Sequence, residues 1–128
     1  MPTLEILYQD DYLVAINKPH GLLVHRTKMA NDATEFALQQ LRDQLQQPVY
    51  PAHRIDRKTG GILLFALNEE VNRQLQIMFA EKKMSKTYLS IVRGYCENEG
   101  KIDYPLINES GKSQEALTSY YTIDRAEL

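Results

Sequence analysis

His53-Arg54-Ile55-Asp56-Arg57-Lys58 sets a single carboxylate among residues that carry or can take up positive charge, ahead of Thr59-Gly60-Gly61 and the apolar run Ile62-Leu63-Leu64-Phe65-Ala66-Leu67. A carboxylate in that setting can act as a nucleophile or stabilise a developing cation, and the surrounding charges draw a polyanionic ligand towards it. The same residues also suit a plain turn with solvated ion pairs ahead of a buried strand. Local pattern alone does not separate the two readings.

Two further segments share the character of the first. Asn17-Lys18-Pro19-His20-Gly21-Leu22-Leu23-Val24-His25 joins a basic residue to a Pro and Gly turn, and Lys86-Thr87-Tyr88-Leu89-Ser90-Ile91-Val92-Arg93-Gly94 places an aromatic in an alternating run. In this order, the three segments resemble the Asn-Lys-Pro-x-Gly-x-x-Val-His, His-Arg-Leu-Asp-Arg-x-Thr-Ser-Gly and Lys-x-Tyr-x-x-x-Val-x-Gly motifs of the RluA family of pseudouridine synthases. The resemblance implies an isomerase that converts a uridine in RNA to its C-glycoside, with no cofactor and with Asp56 as the catalytic carboxylate. It implies that Arg54 fills the space of a base extracted from the helix, and that Tyr88 stacks on that base. Arg57 and Thr59 are expected at the substrate, and Lys18, His25, Arg26 and Lys58 at the RNA backbone. Gly60 stands where the family has Ser, so a hydroxyl contact there is lost.

Ala52 and Ile102-Asp103-Tyr104-Pro105-Leu106 are most similar to a branch of the family acting on tRNA, which makes tRNA the expected partner ahead of ribosomal RNA. The family ordinarily carries a later basic motif of the Gly-Arg-x-His-Gln-Ile-Arg kind, which is absent from these 128 residues. Residues 1–128 therefore read as the N-terminal portion of one catalytic domain, expected to be weak or inactive alone. A non-catalytic RNA-binding fragment is the alternative. An aspartyl-phosphate loop is a poorer match, because that motif places Thr two residues after Asp rather than three.

The net charge of −2 argues superficially against RNA, but its distribution does not. Residues 12–28, 48–68 and 82–96 together hold ten of the fifteen Lys and Arg residues and one of the seventeen acids. Those are the windows that carry the motifs, as a basic groove on an acidic body requires. The lone Cys96 excludes an internal disulfide, and no signal-peptide pattern opens the chain, so a cytoplasmic protein is expected; a monomer is the expected state. No apolar run approaches a membrane span. The spacing of His20, His25, His53 and Cys96 fits no zinc pattern, so no metal is expected.

Positioning these residues requires a scaffold. Leu4–Tyr8 and Tyr12–Asn17 predict a hairpin. Asp32 and Glu35 have the form of a capping box for a helix over 33–46 ended by Pro48. Ile62–Leu67 predicts a strand buried on both faces. Asn68 can cap a second helix to about residue 80 with Val71, Leu75, Met78 and Phe79 as its stripe. Strands are expected near 86–93, 101–104 and 117–124, with a mobile stretch at 111–115 and little left to pair the last strand. The mixture predicts an α+β domain with a mixed or largely antiparallel sheet and two helices.

Overall fold

The computed structural model describes residues 3–24, 36–107 and 110–126. They fall into two compact units, residues 1–86 and 87–128.

The first unit is built on the predicted hairpin. β1 (Glu5–Gln9) pairs antiparallel with β2 (Leu13–Lys18), and the Asp10 carboxylate between them accepts from the N–H groups of Tyr12 and Leu13. β2 in turn pairs antiparallel with β4 (Gly61–Ala66), whose other edge takes the two-residue β3 (Tyr50–Pro51), giving the order β1-β2-β4-β3. Period-two alternation then sorts the side chains. Val14, Ile16, Leu63 and Phe65 face one way and are buried with Ala37 and Leu41 of α1 (Ala37–Leu45). Leu64 and Ala66 face the other way, towards Leu75, Val71 and Phe79 of α2 (Glu69–Ala80). One helix thus covers each face of an antiparallel sheet, and the α+β reading holds.

α2 begins as predicted, with the Asn68 carboxamide accepting from the Val71 N–H at 2.8 Å and Glu69 and Glu70 in the first turn. The first helix does not. Asp32 and Glu35 lie outside the described residues, and α1 starts at Ala37 with Phe36 in the cap position. Its first N–H groups are met by main chain instead: Ala37 donates to the Leu23 carbonyl and Leu38 to that of Val24. With those donors satisfied by the segment after β2, a side-chain cap is not needed there. β4 also departs from prediction at its start, where Ile62 is 65% exposed. Burial on both faces is confined to its second half, where α2 crosses it.

The second unit consists of two small antiparallel ribbons. β5 (Glu99–Asp103) pairs with β8 (Leu117–Tyr121), so the last predicted strand does have a partner. β6 (Leu106–Ile107) pairs with β7 (Ser113–Gln114), placing part of the stretch read as mobile in a ladder. The predicted strand at 86–93 is absent. Residues 86–92 pair with no strand among the described residues, and Leu89 and Ile91 are exposed, Ile91 fully. Alternation specifies a strand only where a neighbouring edge accepts its hydrogen bonds. Among the described residues no helix is long and apolar enough to cross a membrane.

Candidate active site

The first two motifs, some forty residues apart in sequence, meet because β2 and β4 run antiparallel with Asn17 opposite Ile62 and Lys18 opposite Gly61. The loop leaving β2 and the turn entering β4 are therefore side by side. Lys18 fastens them. Its side chain is 0% exposed, and its ammonium donates to the carbonyls of Pro19 at 3.1 Å, Leu22 at 2.6 Å and Arg57 at 3.1 Å. An ammonium has three protons, and all three are used. Lys18 is thus not available to an RNA phosphate, and the sequence-based expectation for it is corrected. Alternation explains why: Val14, Ile16 and Lys18 lie on the same, core-facing side of β2. That signal was present in the sequence.

Arg57 completes the clamp. Its carbonyl accepts from the Gly21 N–H at 2.7 Å while its Nε donates to the Gly21 carbonyl at 2.9 Å. Gly21 meets this double bond with a φ of +92°, a conformation that favours glycine. Gly60 permits the close approach beneath, since a Cβ there would stand 3.2 Å from the Lys18 carbonyl oxygen. The family's Ser is replaced where the two motifs touch. One guanidinium nitrogen of Arg57 is therefore structural, which limits the substrate role expected of it.

On this base sits the turn that carries Asp56. The Asp56 carbonyl accepts from the Thr59 N–H at 2.9 Å, closing residues 56–59 into a turn. Buried Ile55 pins the segment from below, leaving Arg54, Asp56, Arg57 and Lys58 exposed and Thr59 half-buried. The Asp56 carboxylate is close enough to the Lys18 ammonium to oppose the fall in basicity that burial imposes on that lysine. The result is an exposed anion above a buried cation, rimmed by cations in solvent.

His53 sets the start of this segment. β3 ends at Pro51, the Ala52 N–H still reaches the Leu64 carbonyl at 3.0 Å, and the chain then leaves the sheet. The His53 imidazole takes the next place in the ladder, its Nε2 accepting from the Leu64 N–H at 3.1 Å. That bond puts the proton of the neutral ring on Nδ1, a buried atom with no partner among the described residues. The ring stacks on Phe79, centroids 4.6 Å apart. Burial holds the basicity of His53 below the usual histidine range, and the charge on Lys86 pushes the same way. The unfolded chain therefore binds this proton at a higher pH than the folded one, so stability should be complete above about 6.5 and decline as pH falls below it. Protonation also turns Nε2 into a donor facing the Leu64 N–H. Denaturant midpoints at pH 7.5 and pH 5 should show the decline, and a His53→Gln variant should show a smaller one; equal declines would contradict the assignment.

Of the other expected site residues, His25 and Arg26 lie outside the described residues. Tyr88 belongs to the second unit, where it is 60% exposed and in neither strand nor helix. A groove formed by all three basic windows is not what the first unit shows, because Lys18 is interior.

The family profile described as RNA pseudouridylate synthase matches residues 12–127, and the chain belongs to that family. Its curated relatives include tRNA pseudouridine synthase C of Pasteurella multocida, 50% identical over 98% of this chain and 56% of its own length. Another is tRNA pseudouridine synthase C of Vibrio parahaemolyticus, 49% identical over 98% of this chain and 55% of its own. The chain thus spans about half the length of the curated relatives it matches. Among solved structures, human RNA pseudouridylate synthase domain containing 1 has the same fold, with a TM-score of 0.70 at 22% identity over 91% of this chain and 51% of its own.

Proposed function

We propose that this protein isomerises a uridine in tRNA to pseudouridine, with Asp56 as the catalytic carboxylate. The observation that carries the reading is the exposed Asp56 on a turn clamped to the loop after β2 by Lys18 and Arg57. The reaction breaks the bond from N1 to C1′, turns the uracil and joins C5 to C1′. C5 gives up a proton and N1 ends with one, so no cofactor, oxidant or second substrate is required. Asp56 can serve by attacking C1′ or by adding to the base; both routes use an ionised carboxylate in a fixed place. Exposure suits either route, because the target must arrive from outside after leaving its helix.

Arg54 is suited to fill the gap left by the base, being exposed two residues from Asp56 with a planar cation that stacks and donates hydrogen bonds. Tyr88 is the proposed stacking partner of the uracil, and Lys58 and Arg57 offer charge to the adjoining phosphates. The names of the curated relatives support tRNA as the RNA. Mapping pseudouridine in the RNA of cells lacking the gene tests this. Loss from tRNA alone is expected; loss from ribosomal RNA alone would refute the tRNA assignment, and no loss would refute the synthase.

A further inference from the structure

We infer that Lys82 and Lys86, just beyond α2, extend the cationic rim of Asp56 into a track for RNA backbone phosphates, an inference that rests on the RNA reading above. Lys86 is tied to the site by stacking. Its ammonium stands 5.9 Å from the centroid of the Phe79 ring on which His53 stacks, and His53 is the residue before Arg54. The helix end thus approaches the segment that presents Arg54 and Asp56. Among the described residues Lys83 is paired with Glu81 at 2.9 Å, whereas Lys82 and Lys86 are exposed and in no ion pair.

Lys82 supplies the second observation. α2 closes with the Lys82 N–H on the Phe79 carbonyl at 3.1 Å and the Lys83 N–H on that of Met78 at 2.9 Å. This closure places Lys82 in the left-handed region at a φ of +58°, where helices ordinarily carry glycine or asparagine. A lysine there strains the backbone. The helix dipole favours a cation near this end but is served equally by Lys83, so it does not account for a lysine at the strained position. α1 likewise closes on a left-handed residue, the uncharged Gln46 at a φ of +54°, so the conformation alone does not call for a cation; what distinguishes Lys82 is an exposed ammonium in no ion pair among the described residues, at the same helix end as Lys86. With two exposed lysines at the helix end and Arg54 across the His53–Phe79 stack, the sequence-independent partner of matching chemistry is a run of phosphates.

The test uses the protein expressed from its complete reading frame and bulk tRNA, with dissociation constants measured across salt concentrations. Lys82→Gly and Lys86→Gln should each flatten the dependence of log Kd on log salt by roughly 0.7–0.9, and the pair should weaken binding roughly 10–50-fold near 0.1 M salt. Lys82→Gly should at the same time raise the thermal midpoint by a few degrees, because glycine relieves the left-handed residue. Arg42→Gln, on the helix across the sheet, is the charge-matched control and should leave the slope unchanged. An unchanged slope in the double variant, or an equal change in Arg42→Gln, would overturn the track while leaving the RNA reading intact. A lower midpoint in Lys82→Gly would also overturn it. Failure of the unaltered protein to bind tRNA at all would overturn both.

Discussion

Asp56→Asn should reduce uridine isomerisation in bulk tRNA by at least about a thousandfold while leaving tRNA affinity nearly unchanged. The turn is built on the Asp56 carbonyl, which accepts from Thr59, and asparagine keeps that carbonyl and the shape of the side chain. What it removes is the anion, and with it the group able to attack sugar or base. The substitution should also cost a little stability, because the Asp56 charge favours the buried Lys18 ammonium. A carboxylate ringed only by like charge would show the reverse sign. The decisive comparison is isomerisation and tRNA binding for two proteins, the unaltered protein and its Asp56→Asn variant. Turnover in the variant equal to that of its parent would end the nucleophile assignment.

How far the sequence led depended on whether each signal was local. The hairpin, the Asn68 cap and the stripe of α2 were legible because their partners lie within a turn or two of chain, and the structure keeps them. β3 was missed because two residues ending in proline carry no periodicity; only the docked edge of β4 defines them as a strand. The strand expected at 86–93 failed for the converse reason, having the alternation without a neighbour to receive it among the described residues. α1 starts at Ala37, where the Leu23 and Val24 carbonyls, distant in sequence from the helix, meet its first N–H groups.

For the site, the motifs located the carboxylate but assigned one of their charges to the wrong layer. Lys18 was read as facing the ligand, yet it holds backbone carbonyls, and that distinction rests on which face of β2 meets the core; Arg57 gives only its Nε to a carbonyl and stays exposed. His53 was read as part of a signature and as a metal-ligand candidate that its spacing ruled out. Its place in the ladder follows from Pro51 ending β3, since an imidazole two residues on can accept the N–H that the departing strand leaves. Burying one cation, Lys18, beneath an exposed anion separates two tasks, holding the turn and presenting its charge.

Lys18→Met tests that separation and should be among the most damaging substitutions in the first unit. Methionine fills most of the volume and relieves the cost of a buried charge, but it leaves the Pro19, Leu22 and Arg57 carbonyls without their donor and removes the cation beneath Asp56. A buried carbonyl left without its donor costs about 1–3 kcal/mol. Lys18→Arg should not restore the loss, because a planar fork cannot replace a compact ammonium converging on three carbonyls. Burial holds the basicity of Lys18 below the usual lysine range, so the unfolded chain retains this proton at a pH where the folded chain has begun to release it. Stability of the unaltered protein should therefore rise with pH in the window just below 10.5 relative to Lys18→Met, and the two should run parallel at neutral pH. Activity should fall further than stability explains. Once the loop after β2 and the 56–59 turn come apart, Asp56 loses its fixed position, and a displacement of about 1 Å at a reacting group can cost roughly a hundredfold. Guanidinium titration gives the first quantity and isomerisation under conditions where the variant is folded gives the second; a Lys18→Met protein matching its parent in both would remove the buried lysine from the account of how Asp56 is held.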